Sequence, residues 1–282
     1  MVPGRLRYAV RPTSQRRRAF RRARPLGPGR RTLVALSAVA VAVIVVPLVA
    51  LLLRVDWTGL PSRLTSPLVW PAVRLSLITA TVTTLLAAVL GTPLAWVLAR
   101  SRSRWAGWVR ALVTVPLVLP PVVGGVALLM AYGRNGLVGM PVAQLIGVTI
   151  PFTPVAVVLA QTFVSLPFYV VAVEGSMRSV DERLDQVAAT LGASPLRIFG
   201  QVAIPLTLPG VAGGAALAWA RALGEFGATI TFAGNFTGTT QTAPLAVYVA
   251  LDSDPQAALA LSVLMLGLCV SVLGVMRGRW LR

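Results

Sequence analysis

The side chains of this sequence that could do chemistry are few, and most of them are arginine. The 282 residues include 26 basic and 8 acidic ones, with no lysine, no histidine and a single cysteine, Cys269, inside an apolar run. Such a set offers no common zinc-ligand cluster and no histidine-based acid–base pair. A phosphate-binding loop of the form G-x-x-x-x-G-K-[ST] is also missing from the sequence. We therefore expect a non-catalytic chain that binds no metal and no cofactor itself.

One pair of ionisable residues stands in an apolar segment. Arg221 and Glu225 are four positions apart, a spacing that predicts one helix face. Charged groups inside a membrane segment are costly and often mark a transport pathway. Three interpretations stay open: a self-neutralised structural pair, direct contact of Arg221 with a passing anion, and a gate. Hydroxyl and amide donors follow, among them Thr229 and Asn235, and they suit either transient oxyanion contact or a solvated loop.

The elements that hold these residues are predicted to be membrane helices. The chain is 56% hydrophobic and 12% charged, with a mean hydropathy of +0.79, whereas soluble domains average about 25% charged residues. Six apolar segments are long enough to cross a bilayer. The third contains Pro116, Pro120 and Pro121, which predict a kink or an interruption. The fold class is therefore all-α with six transmembrane helices, which lie at about 33–53, 72–98, 111–132, 152–173, 210–233 and 256–276.

The arginines predict the orientation of these helices. The segments on one side of the six spans carry 21 arginines and those on the other side carry three, which places both termini in the cytoplasm. Residues 1–32 are predicted to be a disordered basic arm that touches anionic lipid headgroups. Binding of nucleic acid by this arm is the disfavoured alternative. Residues 277–282 are predicted to be a basic cytoplasmic tail.

A polar insert at 174–209 separates the fourth and fifth apolar segments on the cytoplasmic side. Ser179 followed by Glu182 resembles a capping box, which predicts that a helix starts at Ser179. Apolar residues then recur at helical spacing. Gly192 follows them and is placed to end the helix in a left-handed conformation.

A second short helix is predicted after that glycine. Ser194 and Pro195 are typical of the N-cap and the first helical residue. Pro205 and Pro209 are predicted to break this helix. Two amphipathic helices joined at a glycine within a membrane protein indicate a surface on which another protein docks.

This insert resembles the signature loop of permease subunits in type I ABC importers: Glu-Ala-Ala, three residues, Gly, nine residues, Ile-x-Leu-Pro. Gly192 and the run 204–206 match it, whereas Gln186-Val187-Ala188 replaces Glu-Ala-Ala and Asp185 offers a carboxylate one residue earlier. The resemblance implies a permease domain at 70–276. It also implies that a cytoplasmic ATPase contacts a coupling loop that includes Asp185, Gln186, Ala188, Gly192, Ala193, Ser194, Pro195, Ile204, Pro205 and Pro209.

Other stretches resemble the molybdate branch of that family. Pro120-Pro121 and the Gly-Arg-Asn-Gly turn at 133–136 favour molybdate over the related sulfate and thiosulfate permeases, and tungstate stays open. The stretches that carry the resemblance are 119–125, 133–136, 221–229, 232–235, 240–242 and 244–245.

The resemblance implies a homodimer in the bacterial plasma membrane, served by an extracytoplasmic molybdate-binding protein and two ATPase subunits that bind ATP and Mg. It places Arg221, Glu225, Thr229 and Asn235 at a pathway or gate, with lipids and no nucleic acid as other partners. Three alternatives remain: a sulfate or thiosulfate permease, an ion-coupled secondary carrier, and a membrane scaffold whose arm binds nucleic acid or lipid.

Overall fold

The computed structural model describes residues 28–67 and 69–280, and over these ranges every regular element is helical. The described residues divide into two compact units, one up to residue 50 and the other from residue 51 onward. Residues 1–27 of the predicted arm lie outside the described residues, and residues 28–32, predicted to be disordered, belong to α1. The elements are α1 (Pro28–Arg54), α2 (Leu60–Leu64), α3 (Val69–Arg100), α4 (Arg104–Val118), α5 (Pro121–Tyr132), α6 (Gly139–Ile146), α7 (Pro154–Arg178), α8 (Arg183–Thr190), α9 (Pro195–Ile198), a π-helical turn (Phe199–Ala203), α10 (Ile204–Leu223), α11 (Gly227–Phe232), α12 (Ala243–Ser253) and α13 (Pro255–Trp280).

Within the described ranges, five helical segments are long and apolar enough to cross a membrane: α1, α3, α7, the continuous segment Pro195–Leu223, and α13. Helices α4 and α5 form a sixth candidate span that is bent by 115°. The bend follows from Pro120, which is extended (φ −55°, ψ 132°), and from Pro121, which starts the new helix. Six spans and an interrupted third span, as the sequence predicts, are thus confirmed.

The second unit is centred on α3, α7 and α10, which approach one another closely because small residues line their contacts. Ala87, Ala95 and Ala218 are fully buried in this core. A Cβ atom added at Gly91 would lie 2.7 Å from Cδ1 of Tyr169. Small residues of this kind let helix backbones approach within a membrane.

Helix α5 packs equally closely on α11, and this contact yields a stability prediction. A Cβ at Gly125 would lie 2.6 Å from Cβ of Thr231 and 2.9 Å from the Ala228 carbonyl oxygen. We expect Gly125→Ala to separate the two helices at a cost of about 1–3 kcal/mol, as overpacking usually does. Gly267→Ala is the control, because nothing lies within 4 Å of a Cβ added there. Thermal unfolding in detergent should show a lower Tm for Gly125→Ala alone, and equal Tm values for both variants would contradict this packing.

The fifth span differs from the prediction. Helix α10 ends at Leu223 rather than near residue 233, and the short helix α11 follows as a separate element. Residues between the fifth and sixth predicted spans form α12, and residues between the third and fourth form α6.

Candidate coupling loop and buried ion pair

Gly192 ends helix α8 in the way that the sequence predicts. Its φ of +84° is left-handed. Its N–H donates to the Ala189 carbonyl at 2.9 Å, and the N–H of Ala193 donates to the Ala188 carbonyl at 3.0 Å. These two bonds constitute a Schellman motif, in which a glycine is strongly favoured. The coupling loop, residues 174–209, therefore turns sharply at Gly192.

The start of the second short helix is confirmed as well. Ser194 is extended, and its hydroxyl accepts a hydrogen bond from the Arg197 N–H at 3.4 Å. Pro195 occupies the first helical position, where its missing N–H removes no hydrogen bond. Helix α9 thus begins immediately after the turn.

The predicted helix start at Ser179 is wrong. Ser179 caps the C-terminus of α7, and its hydroxyl donates to the Ser176 carbonyl at 2.7 Å. Helix α8 begins only at Arg183. The reason lies in Glu174, which is 5% exposed and is held by two arginines, so that α7 continues beyond the apolar segment.

The prediction that Pro205 and Pro209 break the helix is also wrong. The π-helical turn at 199–203 leads directly into α10, and the Ile204 N–H donates to the Phe199 carbonyl. Pro205 lies in the first turn of α10, and Pro209 is accommodated in its interior. As a result, the coupling loop continues without a break into a 29-residue helical segment, Pro195–Leu223, that is apolar enough to span.

The coupling loop presents apolar side chains on its surface. Leu184 and Val187 are 45% and 57% exposed, and Leu191 and Leu196 are 82% and 80% exposed. These residues lie around the Gly192 turn, in a segment that otherwise carries polar and charged groups. An exposed apolar patch with a polar rim is typical of a protein–protein contact.

The residues predicted to contact an ATPase are not equally accessible. Asp185 faces inward: its Oδ2 lies 2.7 Å from Nε of Arg100, and its side chain is 16% exposed. The structure therefore does not offer Asp185 as the replacement carboxylate that the sequence suggested. The others are distributed as follows: Gln186, Gly192, Ser194, Pro195, Pro205 and Pro209 are exposed, and Ala188, Ala193 and Ile204 are half-buried.

Arg221 and Glu225 form the ion pair that their spacing predicts, with Nη2 and Oε2 2.6 Å apart. Glu225 nevertheless lies outside α10, which ends at Leu223, so the two residues do not share one helix. The carboxylate is 1% exposed, and its Oε1 accepts a hydrogen bond from the Ala228 N–H at 2.8 Å. Glu225 thus neutralises Arg221 and satisfies the first turn of α11. The guanidinium of Arg221 also lies 5.9 Å from the ring centroid of Phe168.

The structure does not bring the other two predicted pathway residues into hydrogen-bonding contact with this pair. Thr229 is fully buried on α11, and its hydroxyl has no hydrogen-bond partner among the described residues. Asn235 is half-buried, and its Oδ1 is likewise unpartnered within the described part of the chain. Gln241 and Thr242, in the following loop, have buried unpartnered oxygens as well.

The Gly-Arg-Asn-Gly turn lies at the opposite end of α5 from the helix break. Arg134 and Asn135 are exposed and line a cavity of about 560 Å³ together with Phe152. Helices bring other groups to the coupling-loop end that sequence reasoning passed over, namely Arg100, Arg110 and Glu174. The spacing of Glu174 and Arg178, four positions apart, is the local signal that could have indicated an ion pair here. Arg110 pairs with Glu174 from far away in the chain, so its role could not be read from the sequence.

Comparison with known proteins agrees with these features. The family model for the inner membrane component of binding-protein-dependent transport systems matches residues 91–281. The Molybdenum transport system permease protein ModB of Mycobacterium tuberculosis is 50% identical over 244 residues, 86% of this chain and 92% of that protein. The protein of the same name from Escherichia coli is 38% identical over 75% of this chain and 93% of its own length.

A solved structure gives the same fold. A chain in the crystal structure of a bacterial ABC transporter that imports the acidic polysaccharide alginate superposes with a TM-score of 0.68 at 14% identity, covering 87% of this chain and 94% of that one. The sequence match and the helical architecture indicate the same family, and the turn at Gly192 fits the loop pattern of that family. This chain belongs to the family of inner membrane components of binding-protein-dependent transport systems and is a permease subunit of the ABC importer type.

Proposed function

We propose that this chain is the membrane-spanning subunit of an ATP-driven importer of molybdate. The observation that supports molybdate as the substrate is the 50% identity, over 86% of the chain, with a molybdenum transport permease. The chain acts as a homodimer in the bacterial plasma membrane, and both of its termini face the cytoplasm. Two ATPase subunits bind ATP and Mg, and an extracytoplasmic molybdate-binding protein delivers the anion.

The coupling loop supports this proposal through its surface. Leu184, Val187, Leu191 and Leu196 are exposed around the Gly192 turn. Burial of such side chains in a cleft of the ATPase is favourable at about 25 cal/mol per Å² of apolar area. ATP-driven closure of the two ATPases then moves the loop.

The helical continuity from α9 to α10 supports a route for that motion. Pro195–Leu223 spans 29 residues, so a displacement of α9 is carried along a helix to the break at Gly224. The Arg221–Glu225 pair lies at that break. A pair with no net charge in a membrane segment lowers the free-energy cost of placing charged groups there. Rearrangement of this pair is suited to opening a path for a dianion.

Metal accumulation in a strain that lacks this protein tests the proposal. We expect cellular molybdenum to fall at trace molybdate and to recover with high external molybdate or with a plasmid-borne copy of the gene. Tungstate and excess sulfate are supplied in parallel. Normal molybdenum content with failed growth on sulfate would overturn the substrate and favour the sulfate or thiosulfate alternative.

Sensitivity to inhibitors separates the energy sources. Uptake by the proposed importer is blocked by vanadate in vesicles that contain the ATPase, because vanadate traps ATP-hydrolysing subunits. Uptake that resists vanadate and collapses with a protonophore would instead favour an ion-coupled secondary carrier. Deletion of residues 1–28 tests the scaffold alternative, because a permease should retain most of its uptake without the arm.

A further inference from the structure

We infer that Asp185 is a positioning residue that fixes the coupling helix α8 to the cytoplasmic ends of α3 and α7 through Arg100, and that it does not face the ATPase. This inference rests on the proposed coupling function of the loop. It concerns a second, non-covalent route from α8 to the membrane helices, beside the covalent route through α9 and α10.

Arg100 connects three elements with one side chain. It is the last residue of α3, and its Nε donates to Oδ2 of Asp185 at 2.7 Å. Its Nη1 donates to the carbonyls of Met177 and Val180, at 3.0 and 3.3 Å. Carbonyls at a helix C-terminus lack partners within the helix and attract cations. Arg100 therefore ties the end of α7 and the body of α8 to the end of α3.

The burial of this pair separates it from the neighbouring pair of Arg102 with Glu182, at the start of α8. The side chains of Arg100 and Asp185 are 15% and 16% exposed, whereas those of Arg102 and Glu182 are 85% and 42% exposed. Exposed pairs contribute little, because water and salt screen them. A largely desolvated, charge-assisted contact is stronger and directional. Of these two pairs, Arg100–Asp185 is thus the one built to hold the position of α8.

The ends of α3 and α7, to which Arg100 fixes Asp185, are themselves held by ion pairs and hydrogen bonds. Glu174, near the end of α7, pairs with Arg110 of α4 at 2.7 Å and with Arg178 at 2.9 Å. Arg110 also donates to the Leu98 carbonyl of α3 at 3.2 Å. The ends of α3, α4 and α7 therefore form one body, and a force on α8 is transmitted to it through Asp185.

The next positions on α8 face the other way. Gln186 and Val187 are exposed, directly after the inward-facing Asp185. Gln186 occupies the place of the acidic residue in the loop pattern of the family. The inward and outward roles are thus divided between neighbouring residues: Asp185 holds the helix, and Gln186 and Val187 are free to contact the partner.

Charge reversal tests the inference in the complex reconstituted with its ATPase. We expect Asp185→Arg and Arg100→Asp each to lower molybdate uptake per ATP hydrolysed by about tenfold, within the usual range of coupling between two sites. The complex with the ATPase should still form. The double exchange, Asp185→Arg with Arg100→Asp, should restore most of the uptake, and Arg102→Gln, on the exposed pair, should have little effect. If Asp185→Arg prevents ATPase binding and the double exchange does not restore it, the inference is overturned.

Hydrogen exchange on the purified chain provides a readout that does not depend on transport. Asp185→Asn should raise amide exchange of α8, residues 183–190, relative to wild type, while exchange of α10 stays unchanged. Equal exchange of α8 in both proteins would overturn the inference. A wild-type complex that takes up no molybdate would instead contradict the proposed substrate, and the exchange result would still decide the role of Asp185.

Discussion

Replacement of Gly192 by proline is expected to abolish ATP-driven uptake while the chain still inserts into the membrane. Gly192 has a φ of +84°, and proline is restricted to about −65°. Proline also removes the N–H that donates to the Ala189 carbonyl at 2.9 Å. The turn between α8 and α9 cannot form, and the exposed leucines on either side of it lose their relative placement. Uptake into vesicles and copurification with the ATPase measure the two consequences.

Two further substitutions at the same position identify the cause. Nothing lies within 4 Å of a Cβ added at Gly192, so a side chain meets only the strain of the left-handed backbone. That strain is about 1–2 kcal/mol for alanine, and asparagine tolerates the conformation better. We expect uptake to decrease in the order Gly192→Asn, Gly192→Ala, Gly192→Pro. Normal uptake by the proline variant would count against docking through this loop.

Truncation of Glu225 is expected to have the largest effect on stability. Glu225 is 1% exposed and pairs with Arg221 at 2.6 Å. Glu225→Ala leaves Arg221 without its counter-ion and removes the acceptor of the Ala228 N–H. Removal of one partner from a buried ion pair typically costs about 3–5 kcal/mol. Thermal unfolding in detergent and the amount of protein in the membrane report this loss, and an unchanged Tm would contradict a structural role for the pair.

A neutral double variant separates the three interpretations of this pair. In Arg221→Met with Glu225→Gln, no unpaired charge remains, and the glutamine oxygen still accepts from Ala228. If the pair is only structural, stability and uptake both return. If Arg221 contacts the anion, stability returns without uptake. If the pair is a gate, uptake returns but ATP hydrolysis proceeds without the transported anion.

Local signals in the sequence predicted part of the candidate site correctly. The turn at Gly192 and the cap at Ser194 depend on bonds between residues three to five positions apart, so nearby residue types are sufficient to indicate them. The interruption of the third span follows in the same way from Pro120 and Pro121, whose rings restrict the backbone wherever they occur.

Two predictions about helix ends were wrong, each because an interaction outweighed the local residue preference. Ser179 has the residue type of an N-cap, but α7 extends to Arg178, directly before it, because Arg110, 64 positions away from Glu174, holds the end of that helix. Pro205 resembles a helix breaker, yet a π-helical turn shifts the hydrogen bonds so that the proline falls in the first turn of α10 and the helical segment continues. Contacts between distant residues, or a change in hydrogen-bond register, outweighed the local preference.

Composition and spacing alone determined that this chain is a helical membrane protein with six spans, a polar loop that turns at a glycine, and a charged pair beside its fifth span. Apolar length, arginine placement and capping residues act through the solvent and the neighbouring backbone, and both can be read from the sequence. Tertiary structure alone decided which way Asp185 faces, because its partner Arg100 is 85 positions away and reaches it only after α3 and α7 have packed. The same packing placed Glu225 beyond the end of α10, where it pairs with Arg221 and caps the next helix.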